Sequence, residues 1–232
     1  MLNGIISIMT DETKEITYFG FCGETNTMTT LKAARRRCDE LGIRDVIIAS
    51  ETGRSAIKAL KVFNDDRIRI TVVTHYPSRT WGPNGEIPIG LNRKEYSEFR
   101  KILEENGVRI IQGTRPFAPP ARGIQWDYPV ADAMIDYTLE LFSSGTKIAI
   151  ETALMATDAG AIEEGTEIVS CGGTFKGLDT ALVVKTAHSE KFFRKFEVRE
   201  IITKPRYRTS SENQWDDEKW RGDLNKYHTS EP

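Results

Sequence analysis

The run Val46-Ile47-Ile48-Ala49 is continuous, branched and apolar, which fits a parallel strand buried on both faces better than a surface strand that alternates with solvent. Amphipathic stripes lie on either side of it. Leu31, Ala34, Cys38 and Leu41 mark one face of a helix over residues 26–42, with Asn26 or Thr27 to cap it and Gly42 to end it. After the run, residues 50–55 turn, and Ala56, Ala59, Leu60 and Phe63 form the stripe of a second helix. A strand over 68–74, a helix carrying Tyr96, Phe99, Ile102 and Leu103, and a strand over 108–112 follow in order. Further on, the pattern predicts helices around Val130, Met134, Tyr137 and Leu141 and over 147–159, then strands over 167–170 and 180–186. Short extended segments at 15–21 and 196–203 complete it, the latter as an edge strand. Alternation of this kind predicts an α/β fold with a mostly parallel, doubly wound sheet of about five strands.

Two segments break the rhythm. Residues 76–92 are rich in Pro and Gly, and residues 113–129 hold Pro116, Pro119, Pro120 and Pro129, so both are expected to cover a ligand or form interface arms. Beyond Pro205 the chain turns polar with scattered Trp215, Trp220, Leu224 and Tyr227. The expected organisation is one domain over 1–205 and a tail over 206–232 that is disordered or strapped onto a neighbour.

Composition narrows the function. No apolar run approaches the roughly 18 residues of a membrane-spanning helix, so no membrane partner is expected. A net charge of −2 gives no reason to expect nucleic acid as a partner, and Arg35-Arg36-Arg37 reads as the solvated face of a helix. Cys22, Cys38 and Cys171 lie far apart without a paired motif, which points to reduced thiols rather than disulfides or zinc. The histidines have no metal-ligand spacing, so no metal is expected. The first residues lack the basic and long apolar segments of a secretory signal, and a cytoplasmic location is expected.

Ser50-Glu51-Thr52-Gly53-Arg54-Ser55 lies between a buried strand and a helix. Backbone N–H groups there point along the helix dipole, and Ser50, Thr52 and Ser55 add hydroxyl donors, which together suit a phosphate monoester. Gly53 would let the backbone approach the anion, and Arg54 can add a charged contact or face solvent. The same pattern also serves as a plain helix cap. A second glycine-rich turn, Gly172-Gly173-Thr174-Phe175-Lys176-Gly177, precedes Asp179 and Thr180. Read alone it is a turn into a hairpin or crossover. If residues 167–170 lie beside residues 46–49, both loops line one crevice where strand order reverses. Thr74 and His75 end a strand on that side, and His75 is either a ligand contact and proton carrier or bonded to its own loop. His188, after the last strong strand, has the same two readings.

At this level of detail the residues resemble a family. The stretch Ser50–Ala56 is similar to the phosphate loop by which the C-terminal domain of pyruvate kinase holds its sugar-phosphate effector. Gly172-Gly173-Thr174, Gly177, Asp179-Thr180-Ala181, Ala187-His188-Ser189, Phe192-Phe193, Arg199-Glu200-Ile201-Ile202 and Lys204-Pro205 resemble a small, mainly archaeal group in which this domain stands alone. Asn26-Thr27, Thr74-His75 and the stretch from Glu151 to Gly160 match the same group. The resemblance spans about residues 19–205. It implies a three-layer α/β/α fold and flavin mononucleotide (FMN) as the ligand, where the residues themselves point only to a phosphate. Pyruvate kinase activity is not implied, because its chemistry lies in a TIM barrel of about 250 residues, for which this chain has no space.

Three functions remain open: a binding or regulatory module for FMN or another phosphorylated metabolite; an enzyme, flavin-dependent or acting on a phosphorylated metabolite, with His75, Asp179 or His188 as acid-base candidates; and an assembly protein, as a homo-oligomer, whose phosphate loop is only a cap.

Overall fold

A computed structural model describes residues 11–82, 85–117 and 131–207 of the chain. Nine strands are described: β1 (Thr17–Phe19), β2 (Asp45–Ala49), β3 (Arg69–His75), β4 (Ser78–Gly82), β5 (Gly85–Ile89), β6 (Arg109–Gly113), β7 (Glu167–Gly172), β8 (Thr180–Lys185) and β9 (Glu197–Pro205). The helices are α1 (Thr27–Leu41), α2 (Arg54–Val62), α3 (Ser97–Glu105), α4 (Ala131–Glu140), α5 (Ser144–Asp158) and the short α6 (Phe192–Lys195). Seven strands form one sheet in the order β1-β9-β8-β7-β2-β3-β6, with β8 running against the rest, so the mostly parallel sheet is larger than the five strands expected.

Alternation along the central strands sets the layers. Val46 and Ile48 face a core built with Leu31, Ala34 and Cys38 of α1, Ala56 and Ala59 of α2 and Leu103 of α3. Ile47 faces the opposite core, where Ala149, Ile150, Ala153 and Leu154 of α5 pack on Ile168, Leu182 and Val184. This is the expected three-layer α/β/α arrangement.

Several local expectations are corrected. The segment 76–92 contains a two-stranded hairpin, β4 against β5, with Ser78 opposite Ile89. β9 runs on to Pro205, and β1 covers only its last residues, Thr203 to Pro205, so among the described residues 197–202 keep the edge position expected for 196–203. The arginine run is not a solvated face: Arg37 is buried and paired with Glu40 and with Glu200 at 2.9 Å, while Arg35 binds Asp39 and Asp65. Helix α1 does end at Gly42, in a left-handed conformation with φ 69°. Asn26 does not cap it, and its side chain donates to Phe21 O instead. Leu41, assigned to the buried stripe, is on the surface.

All three cysteines are free thiols. Burial pushes the Cys38 thiol up to about 12, so it is an inert core residue. No described helix is long and apolar enough to cross a membrane. The tail expected over 206–232 lies almost wholly outside the described residues, as does most of the segment 113–129.

Candidate functional site

The chain builds β2, β3 and β6 outward to one edge, then returns to place β7 on the other side of β2. Strand order therefore reverses between β2 and β7, where a crevice opens at the carboxyl ends of parallel strands. A cleft of about 480 Å³ occupies this position. Its size falls within the range of roughly 300–1,000 Å³ usual for small-molecule sites.

Of the residues picked out from sequence, the cleft brings together Ser50, Thr52, Arg54, Ser55, His75, Gly173, Thr174 and Lys176. The loop after β2 is closed by the Gly53 N–H, which donates to Ser50 Oγ at 3.1 Å. The loop after β7 turns straight into β8, Gly172 pairing with Thr180, so the second glycine-rich turn is a hairpin. Within it Phe175 holds φ 64°, an uncommon strain for an aromatic residue, and its ring stays partly exposed at the cleft.

The other picks serve the frame. Gly53 does not line the cleft: a Cβ there would stand 2.7 Å from Phe99 Cβ and 2.9 Å from Leu91 Cδ1, so its bare face is turned to packing. Thr74 is buried beneath the cleft, donating to Glu51 Oε2 at 3.2 Å and accepting from Leu91 N at 3.0 Å. A side chain on Gly172 would run into the backbone of Gly145 and Ala149, so this glycine lets α5 lie close on β7. Asp179 is fully buried and accepts from Gly23 N at 3.0 Å, Thr174 N at 3.2 Å and Thr180 Oγ1 at 2.9 Å. Burial pushes its carboxyl above the usual range. Thr180, also fully buried, lies between Asp179 and Ser143. His188 is at the opposite end of the sheet, because β8 runs against its neighbours; its Nδ1 lies 3.3 Å from Asp158 Oδ1 at the end of α5.

The cleft also contains residues the sequence did not single out. Ser144, Lys147 and Ile148 bring a second helix N-terminus, that of α5, whose first turn is capped by Ser143 Oγ accepting from Thr146 N at 3.0 Å. Arg115 is fixed by the buried Glu151 at 3.1 Å. Lys147 is held by the buried Asp136 at 3.2 Å and by Glu140, and Lys176 by Glu24 at 2.6 Å. Two helix N-termini, five hydroxyl side chains and four cations thus face one cavity. Such an arrangement favours an anion.

Comparison with protein families matches residues 28–184 to the pyruvate kinase, alpha/beta domain. The match covers more than half of the chain. The protein belongs to the pyruvate kinase alpha/beta domain family. The matched region runs from α1 to β8 and includes both loops of the cleft. In this alpha/beta domain β9 and α6 lie beyond the match.

Two titratable groups in the cleft are shifted by burial. His75, half-buried at the end of β3, is pushed below its usual range, and Glu51 is pushed above its own by burial against the opposing hydrogen bonds from His75 N and Thr74. For Glu51 the sign follows directly. The folded state holds its proton more tightly than the unfolded state, so this group's favourable contribution is complete below about pH 4 and is lost as pH rises through the raised folded value. Glu51→Gln, which keeps an acceptor for Thr74 and His75, is therefore expected to match the parent's stability near pH 3.5 and exceed it at pH 7. Urea titrations at the two pH values check this, and an equal difference at both would contradict it.

Proposed function

We propose that the cleft binds a phosphate monoester, and that FMN, implied by the sequence resemblance, is its ligand. The observation that carries the reading is the convergence of the α2 and α5 N-termini with Arg54, Arg115, Lys147 and Lys176 on one cavity. The donor set fits the phosphate end: Ser50, Thr52 and Ser55 offer hydroxyls beside the first turn of α2, whose N–H groups have no partner within the helix. Ile87, Ile89, Ile148 and Phe175 fit the ring end, giving the same cleft an apolar side. When bound, the flavin would supply hydride or single-electron transfer at its ring.

A reaction on the ligand is a second reading, favoured by His75, whose imidazole borders the cavity and is kept neutral near pH 7 by burial. It would accept or hold a proton at Nδ1 or Nε2 while the helix termini orient the phosphate. Turnover that survives His75→Ala would remove it from that role.

The first test is an absorbance spectrum of freshly purified protein, with mass spectrometry of whatever acid or heat releases. Flavin bands and released FMN support the reading; a colourless protein with no phosphorylated ligand counts against FMN. A substitution separates the phosphate site from the fold. Ser55→Asp puts a carboxylate at the start of α2, where the helix dipole favours it, but where it repels a phosphate. Affinity for a phosphate monoester is expected to fall by roughly a hundredfold or more. The thermal midpoint should hold or rise slightly. Retained affinity, measured by calorimetry, would remove α2 from the site.

A further inference from the structure

Three places in the cleft offer donors to an anion: the start of α2, the start of α5 with Lys147, and the turn between β7 and β8 with Lys176. At two of them the protein's own carboxylates already stand. At the turn, Lys176 Nζ lies 2.6 Å from Glu24 Oε2, and Lys58 Nζ lies 3.0 Å from Glu24 Oε1. At α5, Lys147 is paired with Glu140 and, at 3.2 Å, with the buried Asp136. Glu24 and Glu140 both line the cleft, each with 26% of its side chain exposed. Burial opposes the charge on Glu24, but the hydrogen bonds from Lys176 and Lys58 outweigh it and hold the carboxyl below its usual range. Glu24 is therefore ionised at neutral pH, as the occupant of an anion position must be.

The pairing also cancels the field. Lys58, Arg115, Lys147 and Lys176 are matched by Glu24, Asp136, Glu140 and Glu151, so together these groups bring no net charge to attract a further phosphate. A phosphate placed at either lysine would meet the glutamate that already holds it, and like charges in a cleft repel strongly. The start of α2 differs, because the acidic residue of its loop is engaged elsewhere: Glu51 Oε2 accepts from Thr74 Oγ1 at 3.2 Å and His75 N at 3.1 Å, at the end of β3. We propose that Glu24 and Glu140 act as built-in anions, so that the cleft takes ligands with a single phosphate and an otherwise uncharged body and discriminates against a second phosphate. The apolar lining from Ile87, Ile89 and Ile148 suits such a body. This selectivity rests on the phosphate-binding reading above. Were the two glutamates only braces for their lysines, Lys147 and Lys176 would draw a second phosphate and the cleft would prefer it.

An alkyl phosphate and the diol bisphosphate of the same chain isolate the second phosphate. n-Hexyl phosphate and hexane-1,6-diol bisphosphate, with the matching butyl pair for a shorter span, are titrated calorimetrically into the full chain. The parent should bind each bisphosphate about as tightly as its alkyl phosphate, or more weakly, apart from the statistical advantage of two equivalent ends. Glu24→Gln with Glu140→Gln keeps the side-chain shapes and frees the lysines of two charges. Both ligands should gain, but the ratio of bisphosphate to alkyl phosphate affinity should rise roughly tenfold or more for at least one chain length, the worth of a hydrogen bond to a charged group. Glu24→Gln alone, at a partly exposed side chain, should give part of that rise. A parent that binds either bisphosphate tenfold more tightly than its alkyl phosphate overturns the discrimination while leaving the phosphate site standing. An unchanged ratio in variants that still bind the alkyl phosphates also overturns it, because the glutamates would then not be what excludes the second phosphate. If neither the alkyl phosphates nor inorganic phosphate bind the parent, the phosphate reading falls and the selectivity with it.

Discussion

Gly53→Val is expected to lower the stability of the fold by about 4 kcal/mol, from backbone strain and overpacking in comparable shares. Gly53 holds φ 89°, in the left-handed region where a β-branched residue is most strained. A Cβ would stand 2.7 Å from Phe99 Cβ and 2.9 Å from Leu91 Cδ1, closer than carbon atoms pack. Leu91 is fully buried, and the backbone of Phe99 is fixed in α3, so neither can yield without moving its element. In a domain of this size such a loss is roughly 8–16 °C in thermal midpoint. Circular dichroism melting checks it, and a midpoint within about 2 °C of the parent would show that the loop and α3 adjust at little cost. From sequence, this glycine looks like the place where a backbone approaches an anion. Its geometry makes the valine substitution a test of how α2 packs on α3, which is why Ser55→Asp is the cleaner probe of binding.

The same contrast between a residue and its neighbours decides how much else could be read in advance. β2 was legible because burial on both faces leaves a continuous apolar run, and α1 and α2 because one face of each is polar. The start of α5 was not. Nearly every residue of that helix is buried, with Lys147 and Glu151 inside, so it shows no polar stripe; the charges are tolerated because Asp136, Glu140 and Arg115 pair with them. The hairpin β4–β5 was hidden by Pro88 and the glycines at its turn, which read as loop although proline is tolerated at a strand with a free edge. For the site, the loop after β2 was visible because its atoms are consecutive in the chain. Arg115, Glu140 and Lys147 come from separate segments, and nothing in their local sequence marks them; only the crossing from β6 back to β7 sets them around one cavity. The position of His188 was hidden for the same reason in reverse, since the direction of β8 cannot be read from its own residues.

Asp179 shows the largest gap between what a residue type promises and what its surroundings allow, and Asp179→Ala is expected to cost about 3–5 kcal/mol. The carboxylate is fully buried and does not line the cleft. Its Oδ2 accepts the N–H groups of Gly23 and Thr174, and its Oδ1 the hydroxyl of Thr180. It therefore ties the chain before α1 and the hairpin turn between β7 and β8 to the base of β8. Alanine leaves two buried N–H groups without an acceptor, each worth about 1–3 kcal/mol, and opens a cavity beside Gly145. Asparagine is the informative comparison. Its oxygen can keep both N–H groups, its amide can face Thr180 Oγ1, which then accepts, and no charge remains to be desolvated. Asp179→Asn should accordingly stay within about 1 kcal/mol of the parent, and phosphate-ester binding should persist. A catalytic carboxylate would behave otherwise, because asparagine would abolish turnover as fully as alanine while both variants kept the parent's stability. Urea denaturation of the two variants separates the roles: a large loss for alanine with little for asparagine makes Asp179 a staple of the cleft's second loop, and equal stability in both would return it to the chemistry.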